Sequence, residues 1–485
     1  MNADRITLLI ERRFSQEDWA AEPYPLIPFD MPPGVGLLEL HYSYSDPISA
    51  DVLDQRPGNT VDLGLLGPDG FRGWSGSARQ SISLSAGHAT PGYLPGPLLP
   101  GRWHVQLGLY KLAPQGCVVR IEIELGERKS GITEADDLAP GPSSQASNLS
   151  TFRPSWDSLF VPVPDRSPGW YKGDLHCHSY HSEAEGSLED VLAAARAQGL
   201  NFLAVTEHNT VSHLLELAAW AEPPSPLIIP SVELTTYHGH ANAFGIRRWH
   251  DFRCRSAAQM AALRAEVQAS GALFSINHPK MTGPPWEWGD EGLADAIEVW
   301  QHPWPLFNYQ SLMLWDGLLR QGHRIVAVGG SDKHQPLFDG SLGYHEIGTP
   351  ATWLYVDELS VPGLLAGLGA GHAFISAGPA GPRLELAAES AAGAAMMGDT
   401  LALATGETAV GRCRVNGAAG YWLRLVSAAG KQEIPIQGEE LRYEWTAVAT
   451  DLYWRAEVVE PPPAHQRDDP AAQHVVSLSN PIYLV

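Results

Sequence analysis

The sequence predicts an α/β protein in which a central barrel of parallel strands lies between two β-sandwich domains. Three observations support this fold class. Short strands broken by Gly and Pro fill residues 1–137, strands alternate with helices over residues 169–377, and strand-and-turn patterning returns over residues 378–485. Repeated βα units predict a parallel sheet, whereas short strands between frequent turns predict sandwiches.

The N-terminal region, residues 1–137, is predicted to be a β-sandwich or jelly roll. Its clearest strands cover residues 35–44 and 103–110, where apolar and polar residues alternate. Such alternation places the apolar side chains on one face of a sheet. The Pro- and Ser-rich segment 138–168 has neither a strand period nor a helix period, so we predict a linker there.

The central region, residues 169–377, alternates between strands and helices. Ser187 and Asp190 have the spacing of a capping box at the start of the first helix, and Gly199 ends it. The predicted helices cover residues 188–197, 257–269, 309–321 and 361–368. The predicted strands cover residues 201–206, 227–232, 272–276, 295–299, 324–328 and 352–356. This succession predicts a parallel sheet that closes as a barrel.

The C-terminal region, residues 378–485, returns to strands and turns. Strands are predicted over residues 421–426 and 452–458. This region has no cluster of His, Asp and Glu comparable with those of the central region. We therefore predict a second β-sandwich that serves as a scaffold, a lid or a contact surface.

The composition excludes several classes of partner. The 485 residues contain 55 Asp and Glu against 32 Lys and Arg, a formal net charge of −23. Nucleic acid is not an expected partner, because its phosphates need a basic surface.

Four separated cysteines predict neither a disulfide framework nor a thiolate zinc site. The apolar run over residues 6–10 is too short for a signal peptide or a membrane span, so we expect a soluble cytoplasmic protein. The oligomeric state stays open.

Histidines are concentrated in the central region. Of the 19 histidines, 13 lie between His176 and His345. His176 and His178 follow an apolar stretch and are two residues apart. On an extended chain, residues i and i+2 point to the same side, so both imidazoles can bind one metal ion while Cys177 points away.

Further metal-ligating residue types follow the predicted strands. Glu207, Glu233, His278 and Asp332 each come just after an apolar strand run. In a βα barrel the carboxyl ends of the strands meet at one rim, where active sites are assembled. Carboxylates and imidazoles gathered at one rim predict a shared site for divalent metal ions.

The ordered set of motifs resembles the polymerase-and-histidinol-phosphatase (PHP) superfamily of metallohydrolases. The motifs are Asp174-Leu-His-Cys-His178, Thr206-Glu-His-Asn209, Glu233, His278-Pro279 and Asp332-Lys-His334. The flanking β regions and Asn480-Pro-Ile-Tyr483 resemble the carbaryl-hydrolase-like branch of that superfamily.

The resemblance implies a distorted (β/α)7 barrel and two or three ions of Zn, Mn or Fe. The first ion would be held by His176, His178, Glu233 and Asp332. The second would be held by Glu233, His240 and His278, and the third by Glu183, His208 and His334.

Three details of the ligand set stay open. The family usually has Thr-Asp-His where this chain has Thr206-Glu207-His208. The acidic residue of the third site is Glu183 or Glu185. His238 competes with His240 for the second ion, and the Gly-His-Ala-Asn context favours His240.

The expected chemistry is hydrolysis by a hydroxide that bridges two metal ions, with no serine or cysteine nucleophile. His181, Glu207 and His334 are candidate acids for the leaving group, and His181 and Lys333 are candidate substrate contacts. Glu298 is predicted to orient a metal ligand rather than to bind metal.

The expected substrate is a small ester, and a phosphoester is favoured. A carboxyl or carbamate ester, as in the carbaryl-hydrolase-like branch, is the alternative, and an inactive carbohydrate- or surface-binding protein is a further one. A phosphoesterase cleft would use the cations Lys280, Lys333, Arg247 and Arg248. An ester cleft would use the aromatic residues Trp286, Trp288, Trp300, Trp304 and Phe338.

Overall fold

The computed structural model describes residues 5–50, 54, 56–126, 155–161, 167–220, 223–335, 346–461 and 469–485. Most of the predicted linker 138–168 lies outside these ranges, and so does Phe338. No helix in the described part of the chain combines the length and the apolar character needed to cross a membrane.

The N-terminal region consists of eight described strands and one short helix. They are β1 (Ile6–Phe14), α1 (Gln16–Ala21), β2 (Leu26–Met31), β3 (Leu37–Tyr44), β4 (Thr60–Gly67), β5 (Gly70–Gly76), β6 (Ser81–Ser85), β7 (Gly101–Lys111) and β8 (Cys117–Gly126). The strands form two four-stranded antiparallel sheets, with the orders β1-β8-β3-β6 and β2-β7-β4-β5. Leu38 and Ile123 of the first sheet share a buried cluster with Leu63 and Leu107 of the second.

The central region contains alternating strands and helices. They are β9 (Gly169–Cys177), α2 (Leu188–Ala197), β10 (Phe202–Val205), α3 (Ser212–Ala218), β11 (Leu227–Ile228), β12 (Ser231–Thr236), β13 (Gly239–Phe244), α4 (Ala257–Ala269), β14 (Leu273–Ile276), β15 (Ala296–Gln301), α5 (Asn308–Arg320), β16 (Val326–Gly330), β17 (Ala351–Val356), α6 (Val361–Gly369) and β18 (Ala373–Ser376). The predicted capping box is present: the Ser187 hydroxyl accepts from the Asp190 amide, and the Asp190 carboxylate accepts from the Ser187 amide.

The central strands belong to two sheets. Parallel strands β9, β10 and β11 lie in one, and β12 to β16 form the other in sequence order. Two isolated parallel bridges, Cys177 with Lys333 and His208 with Glu233, join the two sheets at the ends of β9 and β10. These bridges bring the carboxyl ends of β9, β10 and β16 together with β12.

The prediction of a wholly parallel central sheet is wrong at two strands. β13 runs antiparallel to both β12 and β14, and β17 runs antiparallel to β9. The reason at β13 is a tight hairpin: Thr236 pairs with Gly239, whose φ of 126° is readily adopted only by glycine. β12 and β13 therefore have no crossover helix between them.

The C-terminal region is composed of strands. They are β19 (Arg383–Ser390), β20 (Gly393–Met396), β21 (Thr400–Leu401), β22 (Thr408–Asn416), β23 (Trp422–Ser427), β24 (Gly430–Pro435), β25 (Glu440–Val448), β26 (Tyr453–Val459), β27 (Val475–Ser479) and β28 (Ile482–Leu484). Strands β20, β19, β22 and β25 form a separate antiparallel sheet. β27, β26, β23 and β24 instead continue the central sheet, because β27 pairs with β18. The two sheets share a buried core.

Short 3₁₀ helices complete the described elements. They cover Asp157–Phe160, Glu291–Leu293, Ala449–Asp451 and Pro470–Ala472.

Asn480 fastens the C-terminal segment to the central strands. Its side-chain oxygen accepts from the Ala327 amide at 2.8 Å, and its side-chain nitrogen donates to the carbonyls of Ala327 and Ala373 at 2.9 and 3.0 Å. The residue is 1% exposed. Replacing Asn480 by Ala would leave buried backbone groups unpaired, so we expect the free energy of unfolding to fall by roughly 1–3 kcal/mol.

Urea unfolding followed by circular dichroism would measure this loss. Asn416→Ala is the control, because the Asn416 side chain makes no hydrogen bond to the described residues. Equal stability of the two variants would contradict the role given to Asn480.

Candidate metal centre

The predicted metal ligands converge at one end of the central strands. They are His176, His178, Glu183, His208, Glu233, His240, His278, Asp332 and His334. The local structure at β9 is the expected one. His176 and His178 face the cluster, whereas the thiol of Cys177 lies on the other side, 3.5 Å from the carbonyl oxygen of Ala204.

Glu233 lies at the middle of this arrangement and is 1% exposed. Its Oε1 lies 3.1 Å from Nδ1 of His240, 3.4 Å from Nε2 of His278 and 3.6 Å from Nε2 of His176. Its Oε2 lies 2.8 Å from Nε2 of His208 and 3.7 Å from Nε2 of His178. One carboxylate therefore faces five imidazoles, as a bridging ligand would.

Asp332 faces the two histidines of β9. Its Oδ1 lies 2.9 Å from Nε2 of His178 and 3.3 Å from Nε2 of His176. The backbone fixes this approach, because the Asp332 amide donates to the His176 carbonyl at 2.7 Å and the His178 amide donates to the Lys333 carbonyl at 3.0 Å.

The side chains predicted to hold the third ion also lie close to one another. Oε1 of Glu183 lies 3.4 Å from Nδ1 of His208 and 3.5 Å from Nε2 of His334. Glu183 and Glu185 are both exposed, but Glu185 meets this group through its backbone amide, which donates to the His334 carbonyl at 2.8 Å. The structure therefore favours Glu183 over Glu185 as the acidic residue near these histidines.

The donor set fits divalent metal ions. In four groups of three residues, one ligand atom from each residue lies within 4.8 Å of the others: His178, His208 and His334; His176, His278 and Asp332; His176, His178 and Glu233; and Glu233, His240 and His278. Nε2 of His176 and Nδ1 of His178 are buried and make no hydrogen bond to the described residues. A buried nitrogen or oxygen without a hydrogen-bond partner is costly, and a metal ion would satisfy it.

Charge compensation keeps the two central carboxylates ionised. Burial opposes ionisation, but the neighbouring histidines hold the pKa of Glu233 well below its ordinary value. The pKa of Asp332 is likewise held well below its usual range, by His176 and His178 against the effect of burial. Both side chains are therefore in the form that binds cations.

Three polar side chains contact the predicted metal ligands and can fix their orientation. Glu298 accepts a hydrogen bond from the His278 amide, and its other oxygen lies 3.0 Å from Nδ1 of His176. The side-chain amide of Asn277 donates to Glu233 at 2.8 Å, and that of Gln301 donates to Asp332 at 2.6 Å. Glu298 therefore orients a histidine, as predicted from the sequence.

The backbone is strained at the same place. His278, His302 and Asp332 have φ values of 28°, 60° and 50°, which non-glycine residues seldom adopt. Such conformations cost free energy and often accompany functional sites.

Of the residues predicted to act as acids or to contact the substrate, His334 lines the cleft at the ligand cluster, whereas His181, Glu207 and Lys333 do not. The His181 ring nitrogens contact Ser212 at 2.8 Å and Glu216 at 3.0 Å. Glu207 is fully buried, and its carboxylate accepts hydrogen bonds from the Ser179 amide and hydroxyl and from the Ser182 hydroxyl. Lys333 is 5% exposed and lies on the bridge to Cys177. Their direct catalytic roles stay predictions.

His238 lies apart from the ligand cluster. Its side chain is 55% exposed, and its Nδ1 lies 2.7 Å from Glu287. His240 contacts Glu233 and lines the cleft, so the geometry agrees with the choice of His240.

The cleft over the cluster has a volume of about 400 Å³ and includes residues that the sequence patterns did not single out. Asp62, Trp74 and Tyr110 come from the N-terminal sheets, while Tyr237 and Gln301 come from the central region. Nothing in the local sequence around Asp62 marks it, since it is one acidic residue within a strand.

The cationic residues predicted for a phosphoesterase cleft do not line the cleft. Lys280 is buried and donates to the Gln301 carbonyl and the Asn308 side chain at 2.7 and 2.8 Å, and burial lowers the pKa of this amine to about 7. Arg247 and Arg248 are exposed and pair with Asp157 and Glu266.

The predicted tryptophans also lie away from the cleft wall. Trp286, Trp288, Trp300 and Trp304 are not among the described residues that line the cleft. The aromatic side chains there are Trp74, Tyr110 and Tyr237.

The comparison with protein families identifies one segment of the chain. The PHP domain matches residues 174–259, which include six of the nine predicted ligands. This match supports the resemblance to the PHP superfamily. No curated protein matches the chain.

Three solved structures are similar to parts of the chain. A two-domain protein from Bacteroides vulgatus, containing a predicted PHP-like metal-dependent phosphoesterase, is 15% identical with a TM-score of 0.34, and the match covers 65% of this chain and 98% of that one. An amidohydrolase from Chromobacterium violaceum, with bound sulfate and no metal, is 16% identical with a TM-score of 0.24, covering 35% and 89%. A protein from Bifidobacterium adolescentis named as a metal-dependent phosphoesterase is 17% identical with a TM-score of 0.23, covering 36% and 90%. Similarities this low carry no argument about activity.

The metal content of variants distinguishes between His238 and His240 as the ligand of the second ion. His240→Ala should lower the metal bound per protein, because it removes a nitrogen that faces Glu233. His238→Ala should leave the metal content unchanged, because His238 pairs with Glu287 at the surface. Elemental analysis after purification measures both, and an equal loss in the two variants would refute the assignment.

Glu298 offers a test of the supporting residues. Glu298→Gln should weaken metal affinity by roughly 10- to 100-fold, because His176 loses its carboxylate partner. Competition with a chelating dye measures the affinity. Glu287→Gln serves as the matched control, since Glu287 contacts only the exposed His238 among the nearby histidines. Unchanged affinity in Glu298→Gln would show that His176 is held without it.

Proposed function

We propose that the protein is a metal-dependent hydrolase of small ester substrates, with phosphoesters as the first candidate class. The observation that carries this proposal is the buried carboxylate of Glu233, which faces five histidines within 3.7 Å. Divalent cations held there would acidify a water molecule and polarise the ester oxygen.

We infer that the central strands form a distorted (β/α)7 barrel of the PHP type, flanked by two β-sandwich domains. Supporting this inference are the match to the PHP domain and the two bridges that join the central sheets. Ligands from several strand ends then meet at one rim, as in other barrel enzymes.

The ligand assignment is the one that the resemblance implies, and the proximity of these side chains supports it. His176, His178, Glu233 and Asp332 would hold one ion, and Glu233 would share a second with His240 and His278. Glu183, His208 and His334 would hold a third. The donors are nitrogen and oxygen atoms, which suit Zn, Mn and Fe alike.

A phosphoester is supported by the charge of the loaded site. Two or three divalent ions would outweigh the three carboxylates among the ligands, so the centre would attract an anionic phosphate. The cleft volume of about 400 Å³ is in the range of small-molecule sites. The acidic chain as a whole disfavours nucleic acid as a substrate.

A carboxyl or carbamate ester is the second candidate. Among the described residues, neither Lys nor Arg lines the cleft, and three aromatic side chains do. A neutral ester needs no cationic side chain and packs well against aromatic rings.

The absence of metal from purified protein would instead favour a binding protein without catalytic activity.

A substrate panel tests the proposal. The panel contains phosphomonoesters, phosphodiesters, carboxyl esters and carbamates, each assayed with Mn and with Zn. We expect turnover that a chelator removes and that added metal restores. Hydrolysis of phosphoesters alone would select the first candidate, and hydrolysis of neutral esters alone would select the second.

Alanine at His176 or Asp332 should reduce that turnover to background, because each removes a side chain from the shared cluster. Asp30→Ala is a control, since Asp30 is exposed and pairs with Arg102 on the N-terminal sheet. Wild-type rates in His176→Ala protein of verified metal content would overturn the proposed function.

A further inference from the structure

The N-terminal sheets contribute part of the lining of the cleft that contains the ligand cluster. Asp62 of β4, Trp74 of β5 and Tyr110 of β7 line the same cavity as Glu233 and the histidines around it. Asp62 is 8% exposed, so its carboxyl group is withdrawn from bulk solvent. The N-terminal region therefore contributes an acidic side chain to a site whose predicted ligands all come from the central region.

Asp62 is held in place by a tyrosine from the other side of the cleft. The Tyr237 hydroxyl donates a hydrogen bond to Oδ2 of Asp62 at 2.7 Å. The Tyr237 ring stacks on Tyr24, with the ring centres 5.0 Å apart, and contacts Tyr110 at 5.1 Å. These contacts fix the orientation of the hydroxyl and hence that of the carboxyl group.

The proposed hydrolysis requires an acid that can reach the leaving group. His181 and Glu207 are occupied by Ser212, Glu216, Ser179 and Ser182 and do not line the cleft. His334, the third candidate acid, lines the cleft but is itself a predicted ligand and faces Glu183. The carboxylates of Glu183, Glu233 and Asp332 face the histidines of the ligand cluster. Asp62 is the remaining carboxyl group among the described residues that line the cleft.

We propose that Asp62 is the general acid of this hydrolase, supplied by the N-terminal region and oriented by Tyr237. This inference rests on the proposed function, because it assigns a step of the same reaction.

The step balances in atoms and charge. Hydrolysis adds the hydroxyl of one water to the acyl or phosphoryl group, and the departing oxygen needs one proton. The Asp62 carboxyl gives its proton to that oxygen as the ester bond breaks and becomes a carboxylate. The proton that the attacking water loses then restores the acid.

The surroundings keep a proton on this carboxyl. Burial raises the pKa of Asp62 to about 7, Glu183 adds to the rise, and the Tyr237 hydrogen bond and His208 oppose it. An acid with a pKa near the working pH is effective in proton transfer. The titratable groups whose charges interact with Asp62 are Tyr24, Tyr42, Tyr44, Tyr237, Glu183 and His208. Cations bound at the centre would lower this pKa, so the tests below compare variants with one another.

Leaving-group dependence is the first test. Asp62→Asn should lower kcat by about 10²- to 10⁴-fold for a phenyl ester or phenyl phosphate, whose leaving oxygen needs a proton. It should change kcat for the matching p-nitrophenyl compound by less than about tenfold, because nitrophenolate leaves without a proton. The Tyr237 hydrogen bond can persist in this variant, since the Asn side-chain oxygen also accepts.

A pH profile is the second test. The acid works in its protonated form, so activity should be lost as pH rises through the Asp62 pKa. Tyr237→Phe removes a hydrogen bond that stabilises the carboxylate, so the Asp62 pKa rises and the alkaline limb should move to higher pH. Asp62→Asn should lack that limb. A purely structural role for either residue would lower rates without moving the limb.

Infrared difference spectra provide a readout without turnover. Metal-free protein compared on either side of neutral pH should show the carbonyl band of a buried carboxylic acid in the wild type. Burial also raises the pKa values of Asp174 and Glu207, so Asp62→Asn should lose only part of this band. Asp30→Asn, which alters an exposed carboxylate, should retain the whole band, and an unchanged band in Asp62→Asn would contradict the assignment.

The outcomes separate the two proposals. Metal-dependent turnover by the wild type with equal losses on phenyl and p-nitrophenyl compounds in Asp62→Asn would overturn the role of Asp62 and leave the proposed function intact. Wild-type protein that binds metal but hydrolyses neither these compounds nor any substrate of the panel would overturn both. Elemental analysis and thermal unfolding of every variant exclude loss of metal or fold as the cause.

Discussion

A buried carboxylate with its charge compensated by imidazoles is the interaction on which the candidate site depends. Removing an ion from water costs several kcal/mol, and Glu233 is 1% exposed. The compensating histidines come from β9 and the residue after it, from the segment after β10, from the start of β13 and from the segment after β14. All these segments must therefore meet at the same place, in agreement with the bridges of Cys177 with Lys333 and of His208 with Glu233.

Much of the site could be predicted from the sequence because metal binding restricts both residue type and position. The geometry of an extended chain was enough to predict that His176 and His178 face the same side. Glu233, His278 and Asp332 were recognised because they follow apolar runs in the sequence. The structure places His278 and Asp332 just after β14 and β16, whereas Glu233 lies within β12. Four of the five described α-helices of the central region, α2, α4, α5 and α6, were also predicted to within a residue or two. The short helix α3 was not predicted.

The remaining features depend on contacts between distant segments. Asp62 is 171 positions from Glu233 in the sequence and shares a cavity with it only after two regions pack together. The burial of Glu207 and His181 likewise depends on Ser179, Ser182 and Ser212, whose hydroxyls have no distinctive pattern. β13 is antiparallel because the chain turns back at Gly239. The succession of strands and helices did not indicate this turn.

The pairing of β18 with β27 makes the C-terminal strands part of the same hydrogen-bonded layer as β9 and β17. Without them, β18 would present a row of unpaired N–H and C=O groups along its length. An exposed edge of this kind readily recruits strands from other molecules and leads to aggregation. The last strands of the chain thus protect the layer that carries His176 and His178 from self-association, whatever else they do.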